Sequence, residues 1–302
     1  MKDDQQVKGL PPVWFFSIIS SLRSFLRKFY YNLIPPSMAV FEKTQGFWIA
    51  KAISVACELN LAEIVADGKK SVEEIAKQSE TDPDALYRLM RALASEGIFE
   101  ETASKTFKNN KFSNALKDKQ GNLKNMIMHQ LNPTNWEVVN ELKYSISSGN
   151  NAAQKLLGTD IFTHLQNSPD KNKLYNKAMS ETSRLSSAAI VSAYNFKGIT
   201  TLADLGGGEG TLLYTILQKN PAMKGILLDQ AHVVKYASEL AMKYSVENRV
   251  EIIPGSFFEA VPPGADAYMM KNILHAFDRA FYTRWVSVTD YELLERLKLI
   301  IH

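Results

Sequence analysis

The stretch Leu202-Ala203-Asp204-Leu205-Gly206-Gly207-Gly208-Glu209-Gly210 constrains this chain more than any other. An apolar run stops in a turn with four glycines among five residues, and a helical pattern follows. A second apolar run, Gly225-Ile226-Leu227-Leu228, ends in Asp229. Strand, glycine turn, helix and strand in that order make a βαβ unit, and hence a parallel sheet. Glycines let the backbone approach a ligand closely, and a carboxylate ending the second strand accepts hydrogen bonds from ribose hydroxyls. The plain alternative is a turn that merely packs a strand on a helix. The second acid favours a nucleoside site.

The spacing is Gly206-x-Gly208-x-Gly210, with Thr211 where a dinucleotide fingerprint has its third glycine. Asp204, just before the turn, would repel a pyrophosphate. It suits a ligand with an ammonium group, and S-adenosylmethionine has an ammonium, a sulfonium and a ribose diol. The expectation is that Asp204 meets the cationic end and Asp229 the diol. A hydrogen bond to a charged group is worth roughly 1.5–3 kcal/mol.

From about residue 200 the pattern alternates strand and helix, with strands expected at 200–205, 225–229, 249–253 and 267–271. Upstream the pattern is helical. Phe47, Ile49, Ala50, Ile53 and Ala56 are expected to face inward on a helix over 38–60. Ser71-Val-Glu-Glu74 opens a second helix with a capping box. Asp82-Pro83 opens a third, carrying Leu86, Leu89, Met90 and Leu93, and Gly97 stops it. Residues 98–100 and 106–107 then read as a hairpin. Helix, helix, hairpin is a winged-helix arrangement. Arg88, Arg91, Lys105, Lys108 and Lys111 would serve DNA, but Glu96, Glu100 and Glu101 crowd the same end and no basic stripe emerges. Dimerisation is the favoured use. Residues 120–195 read as helical.

Length and charge bound the rest. A chain of 302 residues suggests two domains. With 45% hydrophobic and 22% charged residues it is an ordinary folded protein, and a net charge of +3 creates no strong field for a polyanion. Cys57 is the single cysteine, which excludes an internal disulfide and fits a reducing, cytoplasmic compartment. Its helical apolar surroundings point to a buried thiol. Residues 14–34 are rich in Phe, Ile and Leu but interrupted by Arg23, Arg27 and Lys28. Packing on a partner subunit is the favoured reading, with a membrane-surface helix as the alternative. Asp3 and Asp4 argue against a secretory leader. His129, His164 and His232 lack ligand spacing, so no metal site is expected.

Three motifs in order carry a family resemblance: Asp204–Gly210, Gly255-Ser256-Phe257-Phe258-Glu259 and Lys271-Asn272-Ile273-Leu274-His275. Over about residues 36–278 the chain resembles the S-adenosylmethionine-dependent O-methyltransferases of the caffeic acid and acetylserotonin type. The resemblance implies an α/β Rossmann-like methyltransferase domain preceded by an α-helical, winged-helix-like dimerisation domain. The expected division is an extension over 1–35, a dimerisation domain over 36–118, a helical pocket region over 119–198 and the cofactor domain over 199–302.

The resemblance further implies a homodimer, no nucleic acid partner, and methyl transfer to a hydroxyl of a small aromatic molecule. His275 aligns with the catalytic base. A histidine, with an ordinary pKa of about 6.5, accepts a proton at neutral pH. Asp204, Gly206, Gly208, Asp229, Gln230, Gly255, Ser256, Phe257, Lys271 and Ser183 would hold the cofactor. Ser256 stands where the family usually has Asp. Met179, Trp136 and Phe162 would touch substrate, with Met179 and Ser183 four apart on one helix face.

After Asp278 the match decays. Leu-His-Ala276-Phe277-Asp278 replaces the usual Leu-His-Asp-Trp-Asp, and Lys298–Ile301 resembles a fifth strand. The family leads one to expect two more strands, a helix and the acids that orient the histidine. Their lack would make the domain incomplete at its C-terminus. A cofactor-binding, dimerising protein with little activity is therefore the second reading, and a winged-helix regulator that senses a nucleoside the third.

Overall fold

The structure is a computed structural model and describes residues 13–119 and 121–273. The chain divides into two compact units, Pro11–Glu181 and a second that begins at Thr182. The division falls inside the helix Pro169–Ala193. His275, the helix expected over 279–296 and the strand expected at 298–301 lie outside the described residues.

In the first unit, helices Val13–Asn32 and Pro36–Glu58 precede a short helix, Leu61–Ile64. Strand β1, Lys70–Ser71, leads into the helix Val72–Ser79. The capping box at its start is formed: Glu74 N donates to Ser71 Oγ (3.2 Å) and Ser71 N to Glu74 Oε2 (2.8 Å). The helix Pro83–Ser95 starts as expected, with Ala85 N donating to Asp82 Oδ1 at 2.7 Å. Strands β2, Phe99–Ala103, and β3, Thr106–Asn109, form the hairpin. The sheet order is β1-β3-β2, all antiparallel, so β1 supplies a third strand that the hairpin pattern alone did not announce.

The core of this unit gathers Leu61, Val72, Ile75, Leu86, Met90, Leu93, Phe99 and Phe107, with Ala56 and Cys57 contributed by the second helix. Each such large apolar side chain stabilises by about 1.5–3 kcal/mol through burial. Burial raises the Cys57 thiol to about 11, so it stays protonated. Phe47 corrects the sequence reading: it is 48% exposed and tilts against Trp48 on the outside. Nine residues separate it from buried Ala56, about two and a half helical turns, which sets it on the opposite face. The region after residue 120 is helical, from Lys124–Gln130 through Pro133–Asn140, Leu142–Ser148, Ala152–Leu157 and Ile161–Gln166 to Pro169–Ala193.

The second unit holds a parallel sheet of β4 (Thr201–Leu205), β5 (Lys224–Asp229), β6 (Val250–Pro254) and β7 (Ala267–Met269), in the order β6-β5-β4-β7. Both faces are covered, as a parallel sheet requires. Leu202, Leu227, Ala267 and Met269 point to one side, where the helix Thr211–Lys219 supplies Leu213, Ile216 and Leu217. Ala203, Leu205, Ile226, Leu228 and Tyr268 point to the other. This alternation fixes the register, because a shift by one residue would invert every side chain. β7 ends two residues before the expected 271. Among the described residues no helix is long and apolar enough to cross a membrane.

Candidate active site

The carboxyl ends of β4, β5 and β6 lie side by side, with Asp204 paired to Leu227 and Asp229 to Pro254 in register. That edge is where open parallel sheets bind ligands. Gly206 turns the chain there at φ +72°, and a Cβ on it would sit 2.5 Å from Ile273 Cδ1 and 3.3 Å from the Phe257 ring. Gly208, at φ +63°, instead faces space in which a Cβ would meet nothing within 4 Å. Both positions need positive φ, which glycine supplies without steric cost. The turn is therefore packed at Gly206 and Gly207 and open at Gly208, leaving bare backbone there for a ligand.

Asp229 is held by its own neighbourhood. Gly208 N donates to its Oδ2 at 2.8 Å and Gln230 N to its Oδ1 at 2.7 Å. Burial pushes this carboxyl above its ordinary value, while these two N–H groups and His232 pull the other way. The carboxylate is thereby oriented, with lone pairs remaining for a diol. Gly255 N donates to the Asp229 carbonyl at 3.0 Å, tying the β6 turn to the same point.

Asp204 differs. It is 2% exposed, and its Oδ1 has no hydrogen-bond partner among the described residues. Burial raises its pKa to about 7; Lys271 opposes the rise and Asp229 adds to it. Lys271 is in turn lowered by burial against the pull of Asp204, and its Nζ donates to Ser183 Oγ at 3.0 Å. A buried carboxyl with an unmet oxygen is costly. A cationic ligand group would supply the missing partner and restore the charged form. The residues present therefore fit S-adenosylmethionine: an acid for its ammonium, an acid for its diol and open backbone between.

The structure thus brings Asp204, Gly206, Gly208, Asp229, Gln230, Gly255, Phe257, Lys271 and Ser183 to one edge of one unit. Ser256 is there too, its Oγ accepting from Phe258 N at 3.3 Å. Two neighbours had no assigned role. Ile273 packs on Gly206, and the Tyr214 ring lies beneath Gly210 with its hydroxyl donating to Ala237 O at 3.1 Å. Tyr214 sits four residues after Gly210, the helical spacing that was its available signal. Trp136, Phe162 and Met179 lie in the other unit, each half-buried, and Trp136 Nε1 is buried without a partner. His129 stands edge-on to Tyr175, its basicity lowered by burial. Of the cations considered for DNA, Lys108 pairs with Glu100 at 2.8 Å, Lys105 with Asp84 at 3.6 Å, and Arg91 lies over Tyr87. No basic stripe emerges from them.

Among the described residues, a parallel sheet with an open glycine turn and an acid near each of two strand ends defines a Rossmann-like fold of the nucleoside-binding kind. Comparison with known proteins narrows this. The O-methyltransferase domain family matches residues 139–286, and the O-methyltransferase dimerisation domain family matches residues 41–118. The chain is 33% identical over 236 residues to a mitomycin biosynthesis 6-O-methyltransferase of Streptomyces lavendulae, covering 78% of this chain and 68% of that protein. The crystal structure of LaPhzM superposes with a TM-score of 0.82 at 27% identity, covering 89% of this chain and 81% of that one. A neocarzinostatin-biosynthesis O-methyltransferase, in complex with S-adenosylmethionine and 2-hydroxy-5-methyl naphthoic acid, superposes at 0.68 with 26% identity, covering 79% and 74%. The chain belongs to the S-adenosylmethionine-dependent O-methyltransferase family, with a dimerisation domain ahead of its methyltransferase domain.

Proposed function

We propose that this protein methylates a hydroxyl group on a small aromatic natural product, works as a homodimer, and uses His275 as the proton acceptor. The observation that carries the cofactor side is the unmet, buried Asp204 beside the open backbone at Gly208. The aromatic substrate class is supported by the relatives: one acts in mitomycin biosynthesis and another binds a hydroxylated naphthoic acid. The matched dimerisation domain supports the homodimer.

S-adenosylmethionine supplies an electrophilic methyl group on a sulfonium. Asp204 holds the ammonium, Asp229 the ribose diol, and Lys271, tethered to Ser183, balances the charge of Asp204. Phe257 and Ile273 wall the turn and exclude water from the bound nucleoside. Holding the two reactants in line provides much of the acceleration. A phenol loses its proton with an ordinary pKa of about 10, so a base at the acceptor oxygen adds about 10²–10⁴-fold. His275, four residues after Lys271, is assigned that proton.

Methyl transfer to a panel of hydroxylated mono- and bicyclic aromatics tests this reading, with calorimetric titration of S-adenosylmethionine alongside. His275→Ala should lower kcat by about 10²–10⁴-fold and leave cofactor affinity intact. Equal rates would remove His275 from the mechanism. Cofactor binding without turnover of any phenol would favour the second reading, a dimerising binder.

A further inference from the structure

We propose that the helix Val13–Asn32 is a docking surface for an anionic lipid bilayer, on which it lies flat. At about 100° per residue, Ile18, Ile19, Leu22, Phe25, Leu26 and Phe29 fall within one arc of about 120°, and they are 38–64% exposed. None of them reaches the core of its own unit. Arg23, Arg27 and Lys28 share the remaining surface with Ser17, Ser20, Ser21 and Ser24, all exposed. Between Asp4 and Glu42 the chain contains no acidic residue. A broad apolar arc rich in Phe and Leu, with a purely cationic polar face, is the pattern of a helix that lies in a bilayer interface. The first acid beyond it, Glu42, is taken up by a hydrogen bond from Tyr30 at 2.6 Å.

A second copy of the chain is the competing occupant, but two helices packed through their arcs would leave Arg23, Arg27 and Lys28 on the outer surface with no acids to pair them, whereas an anionic bilayer engages both the arc and the flanking cations. A coiled-coil seam is also narrower than this arc. The matched dimerisation domain begins at residue 41, after the helix, and has exposed apolar residues of its own in Phe41, Phe47 and Trp48. Anionic headgroups complement the cations, while the apolar arc enters the acyl boundary.

The full-length protein is mixed with vesicles of pure phosphatidylcholine and of phosphatidylcholine with phosphatidylglycerol, and the bound fraction is read by flotation. Binding to the anionic vesicles, weak binding to the neutral ones, and release at about 0.5 M salt are expected. Leu22→Glu with Phe29→Glu should abolish flotation. Replacing Arg23, Arg27 and Lys28 by Ala should lower partitioning on the order of 100-fold. Light scattering should show the same mass for all variants, and thermal melting should confirm that each is folded. No flotation of the parent protein on anionic vesicles overturns the proposal, as does flotation unaffected by the substitutions. If the Glu variant is folded but loses half its mass, a second copy covers the face and the lipid assignment falls.

Discussion

Glu181 and Asp204 are both buried carboxylates, 4% and 2% exposed, one in each unit, yet their surroundings are opposite. Glu181 accepts from Asn125 Nδ2 at 2.6 Å, from Met126 N at 2.9 Å and from Asn125 N at 3.3 Å, so it secures the start of the helix Lys124–Gln130. Nearby Lys124 is paired as well, donating to Asn60 Oδ1 and Glu63 Oε1 at 2.6 Å each. Asp204 has an oxygen with no partner among the described residues. A buried acid surrounded by donors serves the architecture, whereas one left short of donors keeps acceptor capacity to spare. The difference lies in packing, since both residues are acids in sequence.

Replacing each acid by its amide should move stability in opposite directions. Glu181→Gln keeps one acceptor oxygen and replaces the other by an NH₂ that faces at least one of the three donors. It should cost about 3 kcal/mol in urea unfolding. An unchanged midpoint would mean that the three hydrogen bonds contribute nothing net.

Asp204→Asn should weaken S-adenosylmethionine binding about 10–100-fold in calorimetry while raising the melting temperature above neutral pH. The sign follows from linkage: the folded carboxyl has a pKa of about 7, above its ordinary 3.8, so the folded state keeps a proton that the unfolded state loses. Stability from this group is therefore lost as pH climbs from about 4 to about 7. The stability gap between variant and parent should open across that range and close near pH 4. Cofactor affinity of the parent should follow the reverse course, strengthening as pH rises through 7 and Asp204 ionises. A variant no more stable than the parent at pH 8 would show that Asp204 is already paired in solution.

Ser71→Ala sets the lower end of the scale. It removes one half of an exposed capping box and should cost about 1 kcal/mol, with cofactor affinity unchanged. A larger loss would mean that the helix Val72–Ser79 carries more of its unit than its cap suggests.

Much of the fold was legible in advance. The four strands of the parallel sheet, the two capped helices and the hairpin all follow from short-range pattern. So do the positions of Asp204, the glycines and Asp229 at one sheet edge, because a βαβ unit forces neighbouring strands to end together. Phe47 was misread because nearby apolar residues do not all share a face over two and a half turns. Strand β1 was missed because two residues carry no periodicity, and its pairing with β3 spans more than thirty positions in sequence. Ile273 gained its place at the glycine turn through packing on Gly206, which no spacing rule assigns, whereas Tyr214 stands at helical spacing from Gly210.

By itself the sequence determined those features whose causes lie within a few residues: positive φ at the glycines, caps at Ser71 and Asp82, alternation along β4 and β5, and the cationic polar face of the Val13–Asn32 helix. The tertiary structure decided what depends on elements far apart. It set the burial of Asp204, the reach of Lys271 to Ser183 across 88 positions, and the grip of Glu181 on residues 125 and 126. Local geometry selects conformations, whereas desolvation and hydrogen-bond satisfaction arise when distant segments close around a group, and these saturate one buried acid with donors and leave the other short of them.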